Sequence, residues 1–459
     1  MTKYRFLDPM GDSPAAVVDA NPGTGQIACP ATSARRRSNP TQQSSPPAAS
    51  PEPAGTAAGR LTVVGIGADG WDGLSPAARQ AATAAEVLMG STRQLGLLPA
   101  AVRGRRVAWP SPLLPALPGL LAEHQGRPVC LLASGDPMCH GLGSTLARLV
   151  GPAAIRVVPH VSSVSLACAR LGWPAEEVEV VSVVGRPVEL LHPVVAPGAR
   201  LLVLSADGAS PAQVCALLAG RGYGGSEVTV LERLGGPEEG VRTGPAAGWP
   251  HQEADPLNVV AVHCHADPDA ALLPRTPGLP DEAYQHDGQL TKREIRAVTL
   301  AVLAPVPGQL LWDVGAGAGS IAIEWMRIHP ACRAVAVESR ADRAGTIGRN
   351  AAALGVPGLR VVHGSAPAAL TGLDRPDAAF VGGGGTVPGV LPACWDALLP
   401  GGRLVVNAVT LEAEALVASW QRRHGGELRR LAVNRASPVG GLTAWRPMMP
   451  VTQWAVTKP

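Results

Sequence analysis

Apolar residues gather in short, unbroken runs, and most runs end in a turn of Gly, Ser or Asp. Residues 61–64 stop at Gly65-Ile66-Gly67, and residues 129–133 stop at Ser134-Gly135-Asp136-Pro137. Residues 155–159 lead into Ser162-Ser163, and residues 200–204 stop at Ser205-Ala206-Asp207. Runs of this length bounded by turn residues predict buried strands. Helices are expected between them: one from Ser75, with Pro76 in its first turn, an Ala-rich one after Ser163, and one from Ser210-Pro211. Strands at 227–231 and 257–262 complete this stretch. The pattern then repeats, with a helix over 291–303 and strands at 310–314, 334–338, 359–362, 378–381 and 403–407. Strand and helix alternate throughout, which predicts an α/β protein.

The remaining stretches set the organisation. Residues 1–59 are rich in Pro, Ser, Ala and Thr and carry Arg35-Arg36-Arg37; they read as a disordered extension. Residues 266–278, punctuated by Pro268, Pro274 and Pro277, read as a linker. The expected units are therefore 1–59, 60–265, 266–278 and 279–459, which suits a length of 459 residues.

Charge and composition narrow the function. Lys+Arg 39 against Asp+Glu 36 leaves a net charge of +3, which argues against a nucleic-acid binder held by bulk charge. Trp 10, Tyr 3 and Phe 2 are too few for a base-stacking platform. The eight cysteines form no CxxC pair, and His263-Cys264-His265 and Cys139-His140 lack partners at ligand spacing, so neither metal nor disulfide framework is expected. No apolar stretch reaches about 18 residues and no signal-type segment opens the chain, so a cytoplasmic protein without membrane contact is expected. Lys3, Lys292 and Lys458 are the only lysines, so an anionic ligand is expected to meet Arg.

The strongest chemical signal is Asp313-Val314-Gly315-Ala316-Gly317-Ala318-Gly319, at the end of a predicted strand and the start of a helix. Glycines there permit a tight turn and close approach of a nucleotide-like ligand. Glu338 ends the next strand, where a carboxylate would meet a ribose diol. The acid Asp313 ahead of the glycines resembles the acid-x-Gly-x-Gly-x-Gly signature of class I methyltransferases, which favours S-adenosylmethionine (SAM) over a dinucleotide.

The wider windows are more specific. Thr291-Lys292-Arg293-Glu294, the glycine motif, Gly382-Gly383-Gly384 and the stretch from Gly401-Gly402 to Glu412 together resemble the decarboxylating precorrin methyltransferases of cobalamin synthesis, the CbiT type. Gly65-Ile66-Gly67, Ser134-Gly135-Asp136-Pro137 and His160-Val161-Ser162-Ser163 resemble the CbiE-type tetrapyrrole methylases. In this order, the two are similar to the fused CbiE–CbiT family.

That resemblance implies a two-lobed tetrapyrrole methylase fold followed by a Rossmann-like class I methyltransferase fold. It implies two SAM sites, methylation of carbons 5 and 15 of a polycarboxylate precorrin, and decarboxylation of the acetate on carbon 12. The first unit would methylate carbon 5, and the second would methylate carbon 15 and decarboxylate. Carried over by position, SAM contacts are expected from Gly135, Asp136 and Ser163, and from Thr291, Asp313, Gly315, Gly317, Gly319, Glu338 and Ala366. Substrate contacts are expected from Gly65, Gly67, Arg186, Arg233, Arg293 and Arg296, and proton steering from Asn407 or Glu412. A homo-oligomer is expected. Two alternatives stay open: a different tandem SAM-dependent methylase acting on RNA or protein, and a SAM- or tetrapyrrole-binding scaffold with a degenerate first site.

Overall fold

A computed structural model describes residues 61–251 and 253–459; the expected disordered extension lies outside the described residues. The first sheet is built from β1 (Leu61–Ile66), β2 (Val87–Gly90), β3 (Arg105–Ala108), β4 (Val129–Ser134) and β5 (Ile155–Val158). Its order is β3-β2-β4-β1-β5, and every pairing is parallel. Parallel strands covered on both faces need apolar side chains on both, which is why β1 and β4 read as unbroken runs. Val64, Ile66 and Leu132 pack on one face, Val63, Leu131 and Leu146 on the other. The helix Pro76–Ala84 starts as its sequence predicts, with Ser75 Oγ accepting from Ala78 N–H at 3.2 Å.

A second sheet follows, from β6 (Val178–Ser182), β7 (Arg200–Leu204), β8 (Glu227–Glu232), β9 (Gly240–Pro245) and β10 (Asn258–His263), in the order β6-β7-β10-β8-β9. It is mixed: β10 runs antiparallel to both β7 and β8.

The third sheet contains β11 (Leu310–Val314), β12 (Arg333–Glu338), β13 (Arg360–His363), β14 (Ala378–Val381) and β15 (Arg403–Ala408). Four further strands follow: β16 (Glu427–Leu431), β17 (Asn434–Val439), β18 (Leu442–Pro447) and β19 (Val451–Thr457). The sheet order is β13-β12-β11-β14-β15-β19-β16, while β17 and β18 pair separately as a hairpin. Five strands are parallel, and β19 enters antiparallel between β15 and β16. Chain order reverses between β11 and β14, the place where open α/β sheets leave a crevice at their carboxyl ends.

Arg296 was expected at the substrate; the structure instead buries it completely. Its Nε donates to Glu324 at 2.6 Å, its Nη1 reaches Asp281 at 3.3 Å, and it also donates to the carbonyls of Thr291 and Leu279. Glu324 further accepts from the Gly278 and Leu279 N–H groups and from the Tyr284 hydroxyl. Burial, with Glu324 beside it, holds the Tyr284 hydroxyl well above its usual pKa. This cluster ties residues 278–284 to the helices Arg293–Leu303 and Ser320–Ile328.

Candidate functional site

A cleft of about 820 Å³ opens at the carboxyl ends of β11, β12, β14 and β15. Two glycine loops, Gly315–Gly317 and Gly382–Gly384, are part of its lining. Gly315 has φ +69°, and a Cβ there would lie 2.5 Å from the Gly383 carbonyl oxygen. Gly317 has φ +59°, with the Gln289 carbonyl 3.1 Å from any added Cβ. Only glycine adopts these dihedrals freely and allows the two chains to approach so closely. Glu338 sits below the loop. Its Oε2 accepts from Gly317 N–H at 2.9 Å, and its Oε1 from Arg340 N–H at 3.0 Å. The carboxylate thus fixes the glycine turn while facing the cleft.

Of the residues expected at this site, Thr291, Gly315, Gly317, Glu338, Ala366 and Asn407 line the cleft together. Asn407 is held at both ends: its Nδ2 donates to Thr299 Oγ1 at 3.2 Å, and its Oδ1 accepts from Gln453 Nε2 at 3.0 Å. Besides Arg296, four others are placed elsewhere. Asp313 is fully buried behind the loop, where Oδ2 accepts from Ala322 N–H at 3.0 Å and Oδ1 has no partner. Burial, then the charge of Glu338, pushes its pKa up to about 7. Gly319 starts the helix Ser320–Ile328 at φ +79° and packs on Ile347; close helix packing, not ligand approach, requires its missing side chain. Glu412 is exposed in the first turn of the helix Leu411–His424, which Thr410 caps, and suits that helix's positive end. Arg293 lines a separate small hollow with Asp281, Glu294 and Arg435.

In the first unit, the ends of β1, β4 and β5 converge. Gly135, at φ +56°, donates to the Ile66 carbonyl at 3.0 Å, and a Cβ on it would lie 3.5 Å from Ser163 N. A Cβ on Gly65 would meet His160 N at 2.8 Å, and one on Gly67 would meet His160 Nε2 at 2.8 Å. Gly65, Gly67, Gly135 and Ser163 are thus brought together, and Asp136 closes the turn by accepting from Met138 N–H at 2.8 Å. Sequence reading missed a pair here: His160 Nε2 lies 3.1 Å from both oxygens of Asp69. The signal was an acid inside the glycine loop and a His at the end of the neighbouring strand. Arg233 is already bound to Asp255 and Glu238, and Arg186 stands in an exposed turn after β6. Among the described residues, no group of three or more His, Cys, Asp or Glu could hold a metal ion.

Sequence-reading also passed over two side chains of the larger cleft. Lys292 and Met449 both line it, although the Arg-rich composition directed attention to guanidinium groups.

The chain is similar to known proteins over most of its length. Residues 60–248 match the tetrapyrrole (corrin/porphyrin) methylases, and residues 282–458 match the precorrin methyltransferase domain. A precorrin-6Y C(5,15)-methyltransferase [decarboxylating] of Sinorhizobium sp is 50% identical over 398 residues, covering 87% of this chain and 96% of that one. The protein of the same name from Mycobacterium tuberculosis (strain ATCC 25618 / H37Rv) is 50% identical over 402 residues, covering 87% of this chain and 100% of that one. The solved C-terminal domain of a precorrin-6Y C5,15-methyltransferase from Rhodobacter capsulatus is 44% identical, with a TM-score of 0.39, covering 40% of this chain and 100% of that one. With near-complete coverage of relatives at half identity, the chain belongs to the decarboxylating precorrin-6Y C(5,15)-methyltransferase family.

Proposed function

We propose that this chain methylates a precorrin at carbons 5 and 15 and removes a carboxylate from its ring C acetate arm, as a SAM-dependent enzyme of cobalamin biosynthesis. The observation that carries the reading for the second unit is the glycine-walled cleft with Glu338 beneath it. Its residues fit the donor. Gly315 and Gly317 let the loop pass against the Gly383 and Gln289 backbone and present main chain to the cleft, and Glu338 retains acceptor capacity for ribose hydroxyls. Bound SAM supplies an activated methyl group on its sulfonium. Thr291, Gly315, Gly317, Glu338 and Ala366 would hold it.

The protein's part is alignment and exclusion of water, because the meso carbons of a reduced tetrapyrrole are already nucleophilic. Asn407, fixed at both ends, positions rather than exchanges a proton. In the decarboxylation, the carbon–carboxylate bond breaks, its electron pair enters the conjugated imine system, carbon dioxide leaves, and a proton adds to the arm.

The first unit supplies the second SAM site in this reading, at Gly135, Asp136 and Ser163, and methylates carbon 5. Gly65, Gly67, Arg186 and Arg233 would face the tetrapyrrole there, with His160 held by Asp69 beside the same loop. The chain would act in the cytoplasm as a homo-oligomer, with no nucleic-acid or membrane partner. Support for self-association comes from the hairpin β17–β18, which exposes Leu442 and Trp445. Among the described residues, no helix is long and apolar enough to cross a membrane.

The experiment is Gly317→Val, with products read by mass spectrometry after incubation with SAM and precorrin-6Y. Valine is strained at φ +59° and its Cβ presses on the Gln289 carbonyl, which distorts the loop at the cleft wall. The expected product carries one new methyl group. Doubly methylated, decarboxylated product at the parent rate would overturn the placement. Loss of all methylation in a variant that still folds would overturn the division of labour.

A further inference from the structure

The cleft has two unlike halves. One carries the glycine loops together with Thr291, Glu338 and Asn407. The other is a rim of large apolar side chains left in solvent: Val387 is 45% exposed, Val409 49% and Met449 68%. They come from three places in the chain, the loop after β14, the turn after β15 and the segment before β19, yet they line one cleft. Single exposed apolar residues are ordinary, but a cluster at one cleft signals a covering ligand.

The same cleft holds a cation with no counter-ion. Lys292 and Arg343 are its positive residues. Arg343 is bound to Asp287 at 2.8 Å. The Lys292 ammonium has no hydrogen-bond or ion-pair partner among the described residues. The cleft's acid, Glu338, already accepts from Gly317 and Arg340. An ammonium on a flexible stem is a point charge that can follow a carboxylate on a mobile arm, where a guanidinium fork demands one plane.

We infer that Lys292 and the rim Val387, Val409 and Met449 form the acceptor half of the cleft: the ammonium grips a carboxylate arm of the precorrin while the rim covers the macrocycle's face. This rests on the assignment of the cleft to carbon 15 methylation and decarboxylation. It replaces the expectation that arginines hold the substrate here, since Arg296 is buried in its own ion pairs and Arg293 lines another hollow.

The chain's few lysines permit a direct test. The full chain is acetylated under limiting reagent, and each lysine is quantified by peptide mass spectrometry. Lys458, whose Nζ donates to the carbonyls of Trp395, Asp396 and Leu398, serves as internal reference. Saturating precorrin-6Y is expected to slow Lys292 acetylation about tenfold or more relative to Lys458, while SAM alone changes it less than about twofold. Unchanged labelling with precorrin, or protection by SAM alone, overturns the inference. In parallel, Lys292→Met is expected to raise the KM for precorrin in carbon dioxide release about tenfold with kcat within about threefold, and Lys292→Arg to restore most of it. A kcat loss with unchanged KM would also overturn it. Gly315→Val separates the two levels of the account. Persistent addition of the second methyl group in that variant refutes the cleft's assignment itself, whereas unprotected Lys292 in a chain whose Gly315→Val form loses that methyl addition refutes the acceptor half alone.

Discussion

Asp313 shows how a site motif divides its labour among single residues. Its carboxyl is buried, bonded once through Ala322 N–H, and raised to a pKa of about 7 by burial and Glu338. Because the folded pKa lies above the unfolded value, the folded state binds the extra proton between about pH 4 and 7. Stability from this group is therefore fully present below that window and lost as pH rises through it. Asp313→Asn keeps an oxygen for Ala322 N–H and cannot titrate. The stability of the parent relative to this variant is expected to fall by up to about 1.4 kcal/mol per pH unit from pH 5 to 7, then level off, as read by urea unfolding. Parallel curves would contradict it. The glycines and Glu338 were legible in the sequence because positive φ and a strand-end acid are local properties. Asp313 and Gly319 stand in the same motif yet face inward, since a turn's inside and outside depend on what packs behind it.

At the scale of elements, the strongest constraint on the cleft is the clasp around Arg296. Removing the guanidinium leaves the buried Glu324 with no cation and leaves Asp281 with Arg435 alone. Arg296→Met is expected to cost about 3–5 kcal/mol of unfolding free energy. Carbon dioxide release below the transition should keep its KM for precorrin. A raised KM in a stable variant would return Arg296 to the substrate. The element pattern itself was readable wherever a strand was apolar on both faces, as in β1, β4, β11 and β14. It failed at β19, where Thr452 and Gln453 are buried polar residues satisfied by Glu414, Thr299 and Asn407. Such partners, distant in sequence, turn a polar stretch into a central strand. The hairpin β17–β18 had a local signal, the Gly440-Gly441 turn, but its strands are largely exposed and lack an apolar run.

Across the whole described molecule, the two catalytic stretches touch through a close backbone contact. Gly355, at φ +83°, sits so near Pro193 and Glu189 that a Cβ would lie 2.9 Å from the Glu189 carbonyl oxygen and from His192 Cβ. The His192 ring is half-buried beside Arg221 and Arg327, and its desolvation, with both of those charges, lowers its pKa to about 4. Arg327 also holds the Leu273 and Leu354 carbonyls, and Arg275 reaches Glu179 at 3.6 Å, so the Pro-containing stretch is pinned from both sides. Gly355→Val is expected to destabilise the chain by about 2–5 kcal/mol through strain and overpacking, measured by denaturant unfolding. An unchanged midpoint would show that the contact yields freely. Sequence reading placed the Pro-containing stretch but gave no sign of this contact, because its participants are far apart in the chain and none belongs to a motif. The central claim is that one chain performs both methylations and the decarboxylation. Its most direct measurement is mass spectrometry of precorrin-6Y incubated with SAM and the purified chain. The account predicts a product with two added methyl groups and one carbon dioxide lost; an unchanged precorrin, in a folded chain that binds SAM, would contradict it.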